Sequence, residues 1–243
     1  MKYGSQRGSA LFIILVAVVL FAALAFAVGE MMRGGNPNTI TIEKARLAGS
    51  EIMAYSQAMR RAAQNIKISN GCADMDISVE NTTVAGYVHT PVASDACKLF
   101  HSDGGGLVYQ APVDDWLDTA TPAPALRGQW YFPANTCIPG TGSAPAGCGS
   151  DSADNEAIIA ILPFINEQLC LQLNDLLGVD NPGGNPPVET GDAWPVAATK
   201  YAGAQDDGTK LDQSGKMAGC FEGDAASTPP SDTYHFFQVL VPR

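Results

Sequence analysis

QRGSALFIILVAVVLFAALAFAV, residues Gln6–Val28, is the stretch on which the rest of the reading turns. Every side chain from Ala10 to Val28 is apolar, and as a helix the run would extend roughly 28 Å, close to the ~30 Å hydrocarbon core of a bilayer. Lys2 and Arg7 precede it and Glu30 follows, an asymmetry that under the positive-inside rule keeps the N-terminus cytoplasmic and exports the remainder. The expectation is a transmembrane helix over 10–28, oriented N-in and C-out. A conventional secretory signal competes with it, because Ala25-Phe26-Ala27 fits the small-x-small preference of signal peptidase. Against that alternative, the apolar run continues without a polar break past the usual h-region of about 7–15 residues.

The leader itself carries a second signal. A short basic segment ending Gln6-Arg7-Gly8, a small residue at Ser9 and an unbroken apolar run resemble the class III signal of type IV prepilins and type II secretion pseudopilins. The resemblance covers residues 1–70, and no motif beyond them matches. It implies that prepilin peptidase cuts between Gly8 and Ser9, and that the apolar helix remains on the mature protein. The implied partners are other pilin or pseudopilin subunits, prepilin peptidase and the inner membrane. The implied location is the inner membrane, with a cytoplasmic N-terminus and a periplasmic head, then the filament and the cell surface.

In the commonest form of that family the fifth mature residue is a glutamate that neutralises the α-amino group of a neighbouring subunit. Counted from Ser9, that position here is Ile13. An unpaired carboxylate buried in lipid costs several kcal/mol, so a subunit with nothing above it in a filament has no need to offer one. Ile13 is in this respect similar to minor members such as the tip pseudopilin. It is equally compatible with an ordinary signal anchor that never polymerises.

Gly34, Gly35 and Pro37 are expected to break the helix near 34–38, and an amphipathic helix resumes over 41–68. Ala45, Ala48, Ile52, Tyr55, Met59, Ala62 and Ile66 recur in steps of three and four, the period of one helical face. Thr39 or Thr41 can cap it, Arg60, Arg61 and Lys67 suit its last turns, and Asn70-Gly71 stops it. In pilin-like folds this half of the helix packs on a sheet. A stalk coiled coil is the structural rival, but an alanine-dominated stripe offers it little side-chain volume.

Six cysteines, at 72, 97, 137, 148, 170 and 220, form no C-x-x-C pair and have no histidine placed to complete a zinc site. An even count behind an export-type N-terminus reads as three disulfides made in an oxidising compartment. Proximity in sequence suggests Cys72 with Cys97, Cys137 with Cys148 and Cys170 with Cys220, among the 15 pairings that six cysteines allow. With 25 Gly and 16 Pro concentrated after residue 100, the head over 71–243 should be rich in loops. Segments 83–88, 106–110, 128–132, 156–162 and 234–241 read as strands. A helix over 167–177 has Asn166 as its cap, Leu169, Leu173, Leu176 and Leu177 on one side, and Gly178 as its stop. A Cys170–Cys220 bond would staple that helix to a loop before the last strand. The expected fold is α+β: a long N-terminal transmembrane and assembly helix packed on an antiparallel β-sheet head with long disulfide-stapled loops. Its parts are a leader over 1–8, the helix over 9–70 and the head.

Little points to catalysis. The chain contains no G-x-S-x-G, H-E-x-x-H or P-loop, and His89, His101 and His235 lack triad spacing. Gly104-Gly105-Gly106 reads as a turn. A formal charge of −11, with Lys2 and Arg7 both in the leader, repels a phosphate backbone, so a nucleic-acid partner is not expected. Calcium needs six to eight oxygen ligands, and neither acidic stretch, 151–156 or 206–212, has EF-hand spacing. Asp151, Asp154 and Glu156 are the preferred ligands if a calcium site exists, with solvated loop acids as the plainer reading. No cofactor is otherwise implied. The expected function is that of a non-enzymatic minor pilin or pseudopilin at or near the tip of a type IV pilus or secretion pseudopilus. The alternative is a disulfide-stapled periplasmic binding or adhesion protein carried by a conventional signal.

Overall fold

A computed structural model describes residues 12–21, 37–118, 126–134, 136–142, 148, 157–190, 200–203, 209–224 and 229–243. The chain divides into two units, Met1–Glu43 and Lys44–Arg243. In the first, residues 12–21 form helix α1, and every one of them is exposed.

That helix corrects the membrane expectation. Over the described residues 12–21, at 1.5 Å per residue, α1 covers about 15 Å, half a hydrocarbon core. The longest helix, α2 (Pro37–Ser69, 33 residues), carries Glu43, Lys44, Arg46, Glu51, Arg60, Arg61 and Lys67, far too much charge for lipid. Among the described residues no helix is long and apolar enough to cross a membrane. The transmembrane helix over 10–28 and the single-pass inner-membrane placement built on it are therefore not supported. Residues 10–11 and 22–28 lie outside the described ones. The chain is already helical at Pro37, ahead of the expected resumption at 41, because proline tolerates the first turn of a helix, where its missing N–H would be unpaired anyway.

The second unit is α+β. Strands β2 (Ile158–Ile165), β5 (Tyr234–Val241) and β4 (Ala218–Glu222) form an antiparallel sheet in the order β2-β5-β4. A two-residue parallel pair, β1 (Thr136–Cys137) with β3 (Thr209–Lys210), stands apart from it. Helix α3 (Glu167–Leu177) follows β2 and contacts β4 and β5.

Alternation along β2 divides the core between the two faces of the sheet. Ile158, Ala160 and Leu162 join Phe236 and Leu240 of β5, together with Ile52, Met59, Ala62, Ala63 and Ile66 of α2. Ile159 and Ile161 point the other way, to Phe237, Val239, Tyr131, Ile138, Leu211 and Phe221. Both faces are covered, which is why β2 reads as an unbroken apolar run and β5 as one interrupted only by His235 and Gln238. The face of α2 read from its period is the buried one, with Ala48 and Tyr55 partly covered.

A bulge makes β2 fit. The register shifts between Leu162 and Ile165, and Phe164 adopts φ 58°. The extra residue sends Phe164 to the second core and restores Ile165 to the first. It also removes the Phe164 N–H from the ladder, and that N–H donates instead to Nδ1 of His235 at 3.3 Å. Nδ1 must then be the unprotonated nitrogen, so Nε2–H faces Thr233 Oγ1 at 2.8 Å, while the Thr233 hydroxyl donates to the carbonyl of Pro230. His235 is fully buried, and burial pushes its pKa down to about 3. The imidazole is neutral and structural.

Several expected strands are absent. Segment 83–88 is irregular because Asn81 Oδ1 accepts from the N–H groups of Thr83 and Val84, an Asx turn that uses the first donors a strand would need. Segment 106–110 begins with Gly106 at φ 67° and bonds to a tyrosine side chain rather than to a neighbouring strand. Segment 128–132 contributes one bridge, Tyr131 with Ile161, closed by two 2.8 Å hydrogen bonds. Conversely β4 was not anticipated, so Cys170 is stapled to a strand and not to a loop. On α3 the cap is as read: Asn166 accepts from the Leu169 N–H, and Gly178 is left-handed. Leu176, read as buried, is 52% exposed because the helix ends there, at the edge of the core.

Candidate functional site

Disulfides fix the frame of the second unit. Cys72–Cys97, Cys137–Cys148 and Cys170–Cys220 are bonded, the pairs suggested by proximity, with Cα separations of 5.9, 6.0 and 5.4 Å. All lie inside the range that disulfide geometry allows. Three such bonds are compatible with an extracellular or periplasmic location.

On this frame lies a groove of about 610 Å³ between α2, the 106–116 segment and Trp130. Its helical wall is Glu51, Ala54, Tyr55 and Ala58, one stripe at steps of three and four. The two alanines leave the space that larger side chains would fill. Tyr55 ties the walls together: its hydroxyl accepts from the Gln110 N–H at 2.9 Å and donates to the Val108 carbonyl at 3.2 Å. Its ring tilts against that of Trp130 at 5.7 Å, and the Trp130 N–H donates to the Tyr109 hydroxyl at 2.9 Å. Burial pushes the Tyr55 pKa up to about 12, partly offset by the Gln110 hydrogen bond, so the phenol stays protonated. Val108 and Val113 face solvent on the far wall, and Glu51 is the lone charged group of the lining. Aromatic rings, small aliphatic side chains and one carboxylate at the lip suit binding, and the lining places no nucleophile beside a base.

The residues singled out from the sequence do not converge on this groove. Gly8 and Ser9 lie outside the described residues, as do Asp151, Asp154 and Glu156, the candidate calcium ligands. Ile13 sits on α1 and is 63% exposed. Of the 206–212 stretch, Asp212 pairs with Lys210 at 2.8 Å, and its N–H donates to both oxygens of the buried Glu189. His89 is buried with its ring edge-on to Tyr201, His101 lies near Asp95 and Asp103, and His235 is in the second core. Among the described residues no group of three or more His, Cys, Asp or Glu could hold a metal ion.

Tyr55 was legible as a core position but not as a strut. The hint was its place in an otherwise alanine-rich stripe, where a tyrosine brings a polar tip that needs a partner. Trp116 and Trp130 carried no periodic signal at all. No protein-family model matches the chain, and no curated protein or solved structure matches it either.

Proposed function

We propose that the protein is a pilin-type structural subunit, a minor pilin or pseudopilin incorporated at or near the tip of a filament. The observation that carries this reading is α1. Phe12, Ile13, Ile14, Leu15, Val18, Val19, Leu20 and Phe21 are all more than half exposed, so the helix is apolar all round and uncovered. Burying each such side chain contributes about 1.5–3 kcal/mol, and a helix of this kind must be covered by something. In the proposed role the cover is the corresponding helix of neighbouring subunits. The Gln6-Arg7-Gly8-Ser9 leader supports the same reading, since cleavage after Gly8 by prepilin peptidase leaves α1 on the mature chain. The architecture is consistent with it as well, a long helix laid by one face on an antiparallel sheet.

Intact-mass analysis of the mature protein, with its distribution in sheared filaments, tests the proposal. A chain starting at Ser9 and present in filaments is the expected result. A chain starting at Val28 and absent from filaments overturns it, because α1 would be gone. The groove against Tyr55, Trp116 and Trp130 favours a second reading, a disulfide-stapled binding or adhesion module, and that outcome would leave it in place.

A further inference from the structure

The far wall of the groove beside α2 is apolar and open to solvent. Val108 is 77% exposed and Val113 50%, with Trp116 half-buried beside them. Across from them Ala54 is exposed and Ala58 half-buried, and neither side chain is long enough to fill the space between the walls. Single exposed apolar residues are ordinary, but these line one concavity of about 610 Å³ whose walls the Tyr55 hydroxyl ties together. The backbone of that wall belongs to no ladder. Among the described residues the N–H groups of Val108, Tyr109, Ala111 and Val113 meet no acceptor within the protein, while those of Leu107 and Gln110 do. Water satisfies such donors in the free protein, and the carbonyls of an extended ligand can take its place.

The charge around the groove narrows that ligand. Glu51 lies in the lining, Asp114 and Asp115 occupy the exposed turn between Val113 and Trp116, and among the described residues no Lys or Arg lines the space. None of these three carboxylates forms an ion pair among the described residues, whereas Asp74, Asp95 and Asp212 each hold a lysine. Unneutralised acids around an apolar concavity, on a protein of formal charge −11, attract a cationic partner and repel one that carries phosphate or carboxylate. The rings of Tyr55 and Trp116 favour the same sign, since aromatic faces attract guanidinium and ammonium groups.

We infer that the groove docks an extended segment of another protein, one that alternates apolar side chains with arginine or lysine. The apolar side chains lie over Ala54 and Ala58 against Val108 and Val113, the main chain pairs with the open N–H groups of 108–113, and the cations reach Glu51, Asp114 and Asp115. The inference rests on the second reading above, a binding or adhesion module, and gives the partner of that module a chemistry.

Titration of the full-length oxidised protein with acetyl-Val-Arg-Val-Arg-Val-amide is the test, read by NMR at the Val108 and Val113 methyls and the Trp116 indole N–H. The peptide should move these signals with a dissociation constant on the order of 0.1 mM, its glutamine counterpart should bind at least about fivefold more weakly, and its glutamate counterpart should not bind. Ala54→Leu, at an exposed helical position that leucine suits, should fill the groove and abolish the shifts while the melting temperature holds. Glu51→Gln should weaken the arginine peptide about threefold and leave the glutamine peptide unchanged. Equal binding of the arginine and glutamine peptides overturns the inference and leaves the binding reading in place. Shifts that survive Ala54→Leu overturn it as well, because they put the peptide elsewhere. No movement with any of the three peptides overturns the inference and the binding reading together.

Discussion

Acidification from pH 7 to pH 5 should destabilise the protein by about 2 kcal/mol through His235 alone. The ring is fully buried between Phe164 and Phe221, with centroids 4.9 and 5.4 Å away, and its Nδ1 holds the N–H released by the β2 bulge. Charging the ring would add a proton to the atom that accepts that hydrogen bond and bury a cation among aromatics. The folded pKa is accordingly down at about 3, against an ordinary value of 6.5. Because the folded value lies below the unfolded one, the unfolded chain takes up the proton first. This contribution to stability is whole above pH 6.5 and is lost progressively as pH falls toward 3, at about 1.4 kcal/mol per unit. Between pH 7 and pH 5 the loss comes to about 2 kcal/mol. His89 is shifted in the same direction by burial, opposed by Glu80 and Asp76, and adds to the wild-type slope. The comparison with His235→Asn, whose amide oxygen can still accept from the Phe164 N–H, removes that background. Urea denaturation of both proteins at pH 5, 6 and 7 is the assay. The variant should be less stable at pH 7, and the gap should narrow by about 2 kcal/mol at pH 5. Parallel pH profiles would refute the assignment of His235 as a neutral buried ring.

Two further perturbations probe the frame and the groove. Replacing Cys170 and Cys220 by alanine opens a 50-residue loop and should cost about 4 kcal/mol on chain-entropy grounds, against about 3 for the 11-residue Cys137–Cys148 loop; melting curves that rank the two pairs the other way would contradict this. Tyr55→Phe keeps the ring contact with Trp130 but leaves the Gln110 N–H and Val108 carbonyl without the hydroxyl, so hydrogen exchange at the Gln110 amide should accelerate about tenfold while α2 amides hold.

The parts of the fold that sequence reasoning reached are those in which local chemistry and burial agree. Along α2 a three-four period and a covered face coincide from Ala45 to Ile66. Asn166 and Gly178 bracket α3 because a cap needs only a neighbouring donor and a left-handed residue. Runs such as Ile158–Leu162 and His235–Val241 are apolar enough that only a sheet covered on both faces accommodates them. What failed were judgements that depend on where backbone hydrogen bonds go. Thr83–Val88 and Gly106–Gln110 read as strands, yet the Thr83 and Val84 N–H groups meet Asn81, the Leu107 N–H meets the Leu99 carbonyl, and the Gln110 N–H meets Tyr55, a residue far away in sequence. Of the apolar N-terminal run, residues 12–21 are described, and they are helical and exposed. The groove joins residues from α2, the 106–116 segment and Trp130, and no local window contains it.

The three disulfides do not interleave: each closes before the first cysteine of the next appears in the chain. A polypeptide entering an oxidising compartment N-terminus first therefore presents its thiols two at a time, always with the native partner next in line. Of the 15 pairings open to six cysteines, vectorial oxidation selects the native one with no shuffling step. Cys170 waits longest, since 50 residues separate it from Cys220 against 25 and 11 for the other pairs, and by then Cys72, Cys97, Cys137 and Cys148 are already spent. The order of the cysteines along the chain thus acts as a timetable for maturation, and a simple oxidase, with no isomerase, suffices to run it.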